Sequence, residues 1–231
     1  MKSKMLVLVA LVAATAASNA QSALKCTEIM YTGLYGEFVE YTNTDANGGA
    51  SFDLEDIEYS DNHNFSTGYV VDLSNTGSPV LIAPGESFIV TEAAEEIFDL
   101  AWYALPNNTT TVTRPATLVA VVGDVAVNLG RGDIAQIRDG LGGPLDVLRF
   151  DDQTAPYNGP RTEDVSAVPD VAAGSAITTN DFRTWITSGA WKKGSAFSGA
   201  VVTQPTGSVN PWKSGRPAAV GTVGSPGVYN R

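Results

Sequence analysis

Short apolar runs alternate along most of the chain with clusters of Gly, Asn, Asp and Pro, the pattern of many short β-strands joined by turns. The strand-like runs are residues 24–31, 37–41, 53–60, 68–73, 86–91, 118–122, 125–129, 134–138 and 145–150. About eight to nine strands, with a turn roughly every 8 to 12 residues, predict an all-β fold of the β-sandwich kind.

Alternation within these runs predicts which side chains share a face, because successive residues of a strand point to opposite sides of the sheet. Phe38 is expected on one face of its strand and Val39 on the other. In the next run, Leu54 is expected on one face and Ile57 and Tyr59 on the opposite one. These assignments predict a core made by every second residue.

Two regions depart from the strand pattern. Residues 92–104 have helix-forming composition with apolar residues at helical spacing, which predicts one short helix or turn. Beyond residue 152, Gly, Pro, Ser and Thr dominate, with Trp185, Trp191 and Trp212 as isolated aromatics. Tryptophans in such a sequence are expected to anchor it on a surface, so residues 153–231 are predicted to form an ordered but irregular strap on a domain of residues 21–152.

The N-terminus has the three parts of a secretory signal peptide. Lys2 and Lys4 precede an apolar run, and small residues follow at positions 18–20. The run is too short for a membrane span, no later segment is long enough for one, and Lys25 before Cys26 argues against lipidation. The first 20 residues are therefore predicted to be removed, and the protein to be secreted or held at the cell surface.

Charge is distributed unevenly over the chain, whose formal net charge is −11. Residues 21–180 hold 24 acids and 6 bases, whereas residues 181–231 hold 1 acid and 6 bases. An acidic body repels phosphates, which argues against nucleic acid as a partner. The basic tail is expected to pack against its own acidic body, although it could also bind an anionic polymer.

Cys26 is the only cysteine, so no disulfide can form within the chain. A lone thiol in an exported protein is either buried or paired with another chain. Cys26 lies in an alternating apolar run, which favours burial, and an intermolecular disulfide remains the alternative.

Several short motifs, in order, resemble the lamin-tail domain family, in its secreted stand-alone form. They are Thr27-Glu28-Ile29-Met30-Tyr31, Glu37-Phe38-Val39-Glu40-Tyr41-Thr42-Asn43, Leu54-Glu55-Asp56-Ile57-Glu58-Tyr59-Ser60-Asp61, Ile82-Ala83-Pro84-Gly85 with the strand after it, residues 127–150, and Gly224-Ser225-Pro226-Gly227-Val228-Tyr229-Asn230. The resemblance covers nearly the whole mature chain. It implies an immunoglobulin-like β-sandwich.

The chain departs from that family at two positions. Ile57 stands where the family usually has Trp, and Asp56 where it usually has Gly; Asp is expected to keep the turn because it tolerates left-handed backbone. The resemblance does not imply a role in the nuclear lamina, because the chain lacks the heptad rod that filament assembly needs.

The best-matched motif is expected to have a structural role. Glu37 and Glu40 flank an apolar pair, so their carboxylates should accept hydrogen bonds from loop backbone or lie in solvent. Asn43 follows the strand and can close an Asx-turn.

Arg131-Gly132-Asp133 is the tripeptide that adhesion receptors recognise. A match of three residues is weak evidence. Gly132 and Asp133 also suit a turn before a strand, so receptor recognition is kept only as a candidate.

Acidic residues that could bind calcium occur in two groups, and hard cations prefer oxygen ligands. The candidates are Glu55, Asp56, Glu58, Asp61, Asp151 and Asp152. Their spacing fits no EF-hand loop, and solvated acids are the simpler interpretation. No cofactor is otherwise implied.

His63 is the only histidine, which excludes a multi-histidine metal site. It lies in a polar loop with no nucleophile motif nearby, and neither a nucleophile elbow nor a phosphate loop occurs. No catalytic residue is predicted. Asn64, Asn107 and Asn108 begin glycosylation sequons, which matter only in a host that glycosylates exported chains.

Three functions remain open. The first is a secreted or cell-surface, non-catalytic module that binds protein or glycan. The second is a structural component of a matrix or envelope, assembled through charge, calcium or Cys26. The third is a hydrolase of unrecognised type that uses acids alone; the absence of a paired base and nucleophile argues against it.

Overall fold

Runs rich in Val, Ile, Phe and Tyr form the strands. The structure is a computed structural model, and it describes most of residues 23–154 and parts of the tail. The described residues are 23–31, 37–45, 48–62, 71–73, 79–103, 114–125, 129–154, 159, 162, 166–170, 177, 191–193, 202–203 and 223–224. Within them the protein is mostly β-structure with one short α-helix, as predicted.

Strand and helix bounds are as follows. The strands are β1 (Leu24–Met30), β2 (Phe38–Asn43), β3 (Phe52–Asp53), β4 (Ile57–Ser60), β5 (Val71–Asp72), β6 (Leu81–Ile82), β7 (Ser87–Thr91), β8 (Leu118–Val122), β9 (Gly132–Asp139), β10 (Pro144–Asp151), β11 (Ala167–Pro169), β12 (Trp191–Lys193), β13 (Val202–Thr203) and β14 (Val223–Gly224). A 3-10 turn (Leu54–Asp56) joins β3 to β4, and helix α1 (Glu95–Trp102) follows β7.

Two larger sheets organise the described residues. The six-stranded sheet has the order β12-β11-β1-β2-β7-β8, and the four-stranded sheet has the order β10-β9-β4-β5. Buried side chains from both sheets belong to one apolar cluster, which includes Val39 and Tyr41 of β2, Phe88 of β7, and Ile137 and Leu148 of the smaller sheet. The hydrophobic core therefore lies between the sheets and draws on both.

The alternation within β2 is confirmed. Val39 and Tyr41 face the cluster between the sheets, whereas Phe38 joins a second cluster on the outer face of the six-stranded sheet. Ile57 and Tyr59 share a face as predicted. The expectation for Leu54 is wrong: it lies in the same cluster as they do, because the 3-10 turn interrupts the strand before β4 and resets the alternation.

The outer face of the six-stranded sheet is covered by α1, which lies within the predicted helical region. β7 and β8 are parallel neighbours, so the chain must cross over between them, and α1 makes this crossover. Phe98 and Trp102 of α1 pack edge-on against Phe38, with ring centroids 5.7 and 5.8 Å away. The helix therefore supplies a second core.

The region beyond residue 152 contributes two strands to the six-stranded sheet. β11 pairs antiparallel with β1, matching Ala167 to Ile29, and β12 pairs with β11. Trp191 of β12 is buried in the cluster between the sheets. Trp185 and Trp212 lie outside the described residues.

The clusters of Gly, Asp and Pro between the strand-like runs predict turns, and two of these turns are well defined in the structure. At Ala83-Pro84-Gly85, Gly85 has a φ of +89° and the Glu86 N–H donates to the carbonyl of Ala83 at 2.9 Å. The other turn, residues 139–143, closes the β9–β10 hairpin with Gly142 at a φ of +86°. Asp56 lies in a turn, as expected, but it is a 3-10 turn that needs no left-handed backbone at this residue. Asp124 is the one non-glycine residue with positive φ in the described part of the chain.

The run at residues 125–129 lies partly outside the described residues, and its ends, Val125 and Leu129, are buried without forming a strand. Across the described ranges, no helix has the length and apolar character needed to cross a membrane.

Candidate functional site

Glu37 and Asn43, at the two ends of the best-matched motif, hold loops onto the sheet. The buried carboxylate of Glu37 accepts a hydrogen bond from the Leu129 N–H at 2.6 Å, as expected. The Asn43 amide donates to the carbonyls of Ala50 and Ile82 at 3.1 and 3.0 Å. Its oxygen accepts from the Asp45 N–H at 3.3 Å, which is the predicted Asx-turn.

Asp146 links the two sheets through a partly buried ion pair. Its carboxylate lies 3.0 Å from Lys25 Nζ and accepts from the Cys26 N–H at 2.8 Å. The Asp146 side chain is fully buried. Two charge-assisted bonds thus tie β10 of the smaller sheet to β1 of the larger one.

Cys26 is fully buried in the core, which confirms the expectation of burial. Burial, reinforced by the charges of Asp146 and Glu40, raises the pKa of its thiol well above the ordinary value. A thiol that is both protonated and inaccessible is a poor nucleophile. An intermolecular disulfide through Cys26 would therefore require β1 to open first.

A buried polar cluster, which the sequence pattern did not indicate, lies on the outer face of the six-stranded sheet. Glu28 and Glu40 are direct cross-strand partners and are 2% and 1% exposed. A bulge in β1 brings the Thr27 hydroxyl within 3.3 Å of Glu40 Oε1 and 2.7 Å of the Thr42 hydroxyl. Burial, followed by the charges of Glu40, Glu28 and Asp99, raises the pKa of nearby Tyr103.

This cluster was missed because a bulge changes the alternation by one residue, and nothing in the composition of β1 marks where the bulge falls. Of its members, the sequence pattern predicts a role only for Glu40, as a hydrogen-bond acceptor. Its side chains are enclosed, so they contribute to the packing of β1 against β2.

The adhesion candidate and one calcium candidate turn out to contact each other. Arg131 Nε lies 2.7 Å from Asp152 Oδ1, and the Tyr31 hydroxyl donates to Asp152 Oδ2 at 2.9 Å. Asp133 accepts hydrogen bonds from the backbone N–H groups of Gly130 and Ile134, at 2.9 and 2.8 Å. The charged groups that an adhesion receptor would recognise are thus engaged within the protein.

The other calcium candidates are dispersed. Glu58 pairs with Arg138, its cross-strand partner. Hydrogen bonds from the Gln153 and then the Thr154 N–H hold the pKa of Asp151 below its ordinary value. Glu55 and Asp56 are exposed on the 3-10 turn, and Asp61 is partly exposed just after β4.

Within the ranges that the structure describes, no group of three or more His, Cys, Asp and Glu side chains is arranged to hold a metal ion. His63 and the sequon residues Asn64, Asn107 and Asn108 lie outside these ranges.

Two large apolar side chains are exposed among the described residues, and both lie at the same end of the molecule. Leu141, at the tip of the β9–β10 hairpin, is 98% exposed, and Leu81 of β6 is 57% exposed. We call the surface formed by Asp53, Glu55, Asp56, Leu81 and Leu141 the leucine–acid surface.

Backbone contacts connect the parts of this surface. A Cβ atom placed on Gly140 would lie 3.8 Å from the carbonyl oxygen of Asp56, so the hairpin tip borders the 3-10 turn. Asp53 is the cross-strand partner of Leu81, and the Leu54 N–H donates to the Val80 carbonyl at 3.0 Å. The hairpin, the 3-10 turn and β6 are therefore contiguous.

Four hydrogen bonds within residues 139–143 support the backbone of the hairpin tip. Asp139 Oδ1 accepts hydrogen bonds from the N–H groups of Leu141 and Gly143, at 3.1 and 2.6 Å. The Gly142 N–H donates to the Asp139 carbonyl at 2.8 Å, and the Asp139 N–H donates to that of Gly143 at 2.9 Å. Leu141 is thus presented to solvent by a loop whose backbone groups are largely satisfied.

No family model, no curated protein and no solved structure matches this chain. The resemblance to a lamin-tail domain therefore rests on the short sequence motifs alone.

Proposed function

We propose that this protein is a secreted or cell-surface, non-catalytic binding module built on an immunoglobulin-like β-sandwich of lamin-tail type. Two sheets sharing one core, short turns at the sheet ends and the order of motifs in the sequence support that description. The partner class is an extracellular protein or glycan.

The observation that carries the proposal is the fully exposed Leu141 at the tip of a hydrogen-bonded hairpin. An exposed leucine on a mobile loop would lose conformational freedom on binding, whereas a loop fixed by Asp139 has already lost it. Binding residues are commonly carried on loops that a rigid scaffold positions, and this hairpin has that arrangement.

The acids of the sequence motifs support a scaffold role instead of hydrolysis. Glu37 and Asp146 are buried and accept backbone N–H groups, and Asp152 is held by Arg131 and Tyr31. Each of these carboxylates already serves as a hydrogen-bond acceptor within the fold.

A binding array of extracellular proteins and glycans tests the proposal. The mature chain (residues 21–231) is compared with Leu141→Ser, and Asp124→Asn serves as a surface control because Asp124 is exposed beyond the far end of β7 and Asn tolerates its φ of +57°. We expect binding that Leu141→Ser weakens and Asp124→Asn leaves unchanged. Equal binding by all three chains would contradict the proposal.

A further inference from the structure

Resting on the proposed function, we infer that the leucine–acid surface binds a cationic, amphipathic polypeptide segment of a partner protein. Such a segment would place lysine or arginine side chains against Glu55 and Asp56, and aliphatic or aromatic side chains against Leu141 and Leu81.

Charge supports a cationic occupant. No lysine or arginine occurs in residues 48–62, 79–87 or 139–148, the described segments that form the surface and continue from it along the chain. The nearest basic side chain along β9, Arg138, is already paired with Glu58. The carboxylates of Glu55 and Asp56 lie on the exposed turn beside the hairpin, so an approaching cation meets no competing positive charge from these segments.

The leucines support an apolar component as well. Leu141 is 98% exposed and Leu81 57% exposed, although other large apolar side chains of the described residues are mostly buried. An interface gains from burying such side chains at its centre while charges surround them. Simple cations would satisfy the carboxylates and leave the leucines in water, so a segment of mixed character fits better.

Local geometry makes the surface ready to bind. Asp53 Oδ1 accepts the Glu55 N–H at 3.1 Å and fixes the start of the 3-10 turn, while Asp139 fixes the hairpin beside it. Both loops are therefore preorganised, and a partner would not have to order them on binding.

A second acidic surface on the same protein provides an internal comparison. Glu96 on the first turn of α1 and Asp124 are exposed acids, and the two large hydrophobic residues found exposed in the described part of the chain, Leu81 and Leu141, lie in other elements. Electrostatic attraction alone would act at both places. The inference requires the leucine–acid surface to bind more tightly than charge explains.

Three synthetic peptides of equal length test the inference by calorimetric titration of the mature chain. In the first peptide lysine alternates with leucine, in the second lysine alternates with serine, and in the third glutamate alternates with leucine. We expect the lysine–leucine peptide to bind about tenfold more tightly than the lysine–serine peptide, the factor that burying one leucine provides, and the glutamate–leucine peptide not to bind.

Two double variants locate the site. Leu81→Ser/Leu141→Ser should remove the advantage of the lysine–leucine peptide, and Leu141→Ser alone should reduce it if the double variant does not fold. Glu55→Gln/Asp56→Asn should weaken binding several-fold at low salt, with a smaller effect as salt screens the charges. The matched control Glu96→Gln/Asp124→Asn removes the same charge elsewhere and should have little effect.

The inference is overturned if the leucine substitutions leave the peptide preference unchanged, or if the control double variant weakens binding as much as Glu55→Gln/Asp56→Asn. A dimer of the mature chain that Leu141→Ser dissociates would also overturn it, since a second copy would then occupy the surface. If the array detects Leu141-dependent binding while no peptide binds, this inference fails and the proposed function stands; if neither experiment depends on Leu141, both fail.

Discussion

Individual buried polar side chains hold loops to the sheets through hydrogen bonds to the loop backbone. Asn43 is the clearest example because it is fully buried and makes three hydrogen bonds to backbone groups of three different residues. A buried polar group that loses its partner costs about 1–3 kcal/mol. Side chains like this one are therefore more informative about stability than the exposed ion pairs.

We expect Asn43→Ala to destabilise the protein by about 2–3 kcal/mol, since the carbonyl of Ile82 loses its buried donor. Urea unfolding measures the change. Asn43→Asp is a useful companion, because it keeps the oxygen that accepts from Asp45 but replaces the donating amide; it should be no more stable than the alanine variant. If Asn43→Ala unfolded at the same urea concentration as the wild type, this amide would not hold the loops.

Tyr41 and Tyr59 give a prediction about pH. Their hydroxyls are buried with no hydrogen-bond partner in the described structure, and burial is the main reason that the pKa of each lies well above the ordinary 10.0. The folded state holds these protons more tightly than the unfolded state. The free energy of unfolding therefore keeps its full value below about pH 10 and falls as the pH rises above it.

Tyr41→Phe should reduce this alkaline loss and leave stability at neutral pH unchanged or slightly higher, because the hydroxyl it removes is unsatisfied. Unfolding free energies measured from pH 7 to pH 11 test this, with Tyr31→Phe as a contrast that removes a hydroxyl bonded to Asp152. If Tyr41→Phe lowered stability at pH 7 as much as Tyr31→Phe, the Tyr41 hydroxyl would have a partner.

At the scale of strands and turns, the sequence predicted most of the central strands and both turns, because their signals are local. β2 shows why: Val39 and Tyr41 alternate with Phe38 in the manner that a pleated strand requires. The turns contain glycines at positive φ, and no other residue adopts that conformation as easily.

Features that depend on non-local packing were missed. The parallel pairing of β7 with β8 has no local sequence signal, because it follows from how α1 crosses over the sheet. The bulge at Thr27 and the 3-10 turn at Leu54 each reset an alternation that the pattern assumed to continue. The leucine–acid surface was also missed, because only the folded structure shows that Leu141 is exposed while Leu145 nearby is buried.

β12 gives a prediction at this scale. Trp191 is 2% exposed and packs in the core between the sheets, although it lies in a region of Gly- and Ser-rich sequence. Trp191→Ala should lower stability by about 3–5 kcal/mol through loss of buried area and a residual cavity. Leu141→Ser, at an exposed position, is the control and should change stability by less than about 0.5 kcal/mol. Similar values for both would mean that β12 does not support the core.

For the molecule as a whole, the state of the single thiol bears on assembly. Cys26 is buried, so a thiol reagent should react with it only as fast as β1 opens, and non-reducing gels should show a monomer. Rapid labelling of the native protein, or a dimer that a reductant dissolves, would favour a matrix or envelope component linked through Cys26.

In the function we propose, the two packed sheets are the scaffold and the leucine–acid surface is the part that binds. Two sheets share one core, Asp146 ties them together, and the hairpin with Leu141 projects from one end beside the acids of the 3-10 turn. A binding module needs such a division between a stable body and an exposed surface.

Amide chemical shifts of the isotopically labelled chain of residues 21–231, recorded as the lysine–leucine peptide is added, show whether the leucine–acid surface is the binding site. We expect the shifts of residues 53–56, 79–82 and 139–143 to change and those of the core strands to stay the same. Changes centred instead on α1 and its exposed Glu96, or spread over all acidic residues, would show that charge alone attracts the peptide and that the leucine–acid surface is not a binding site.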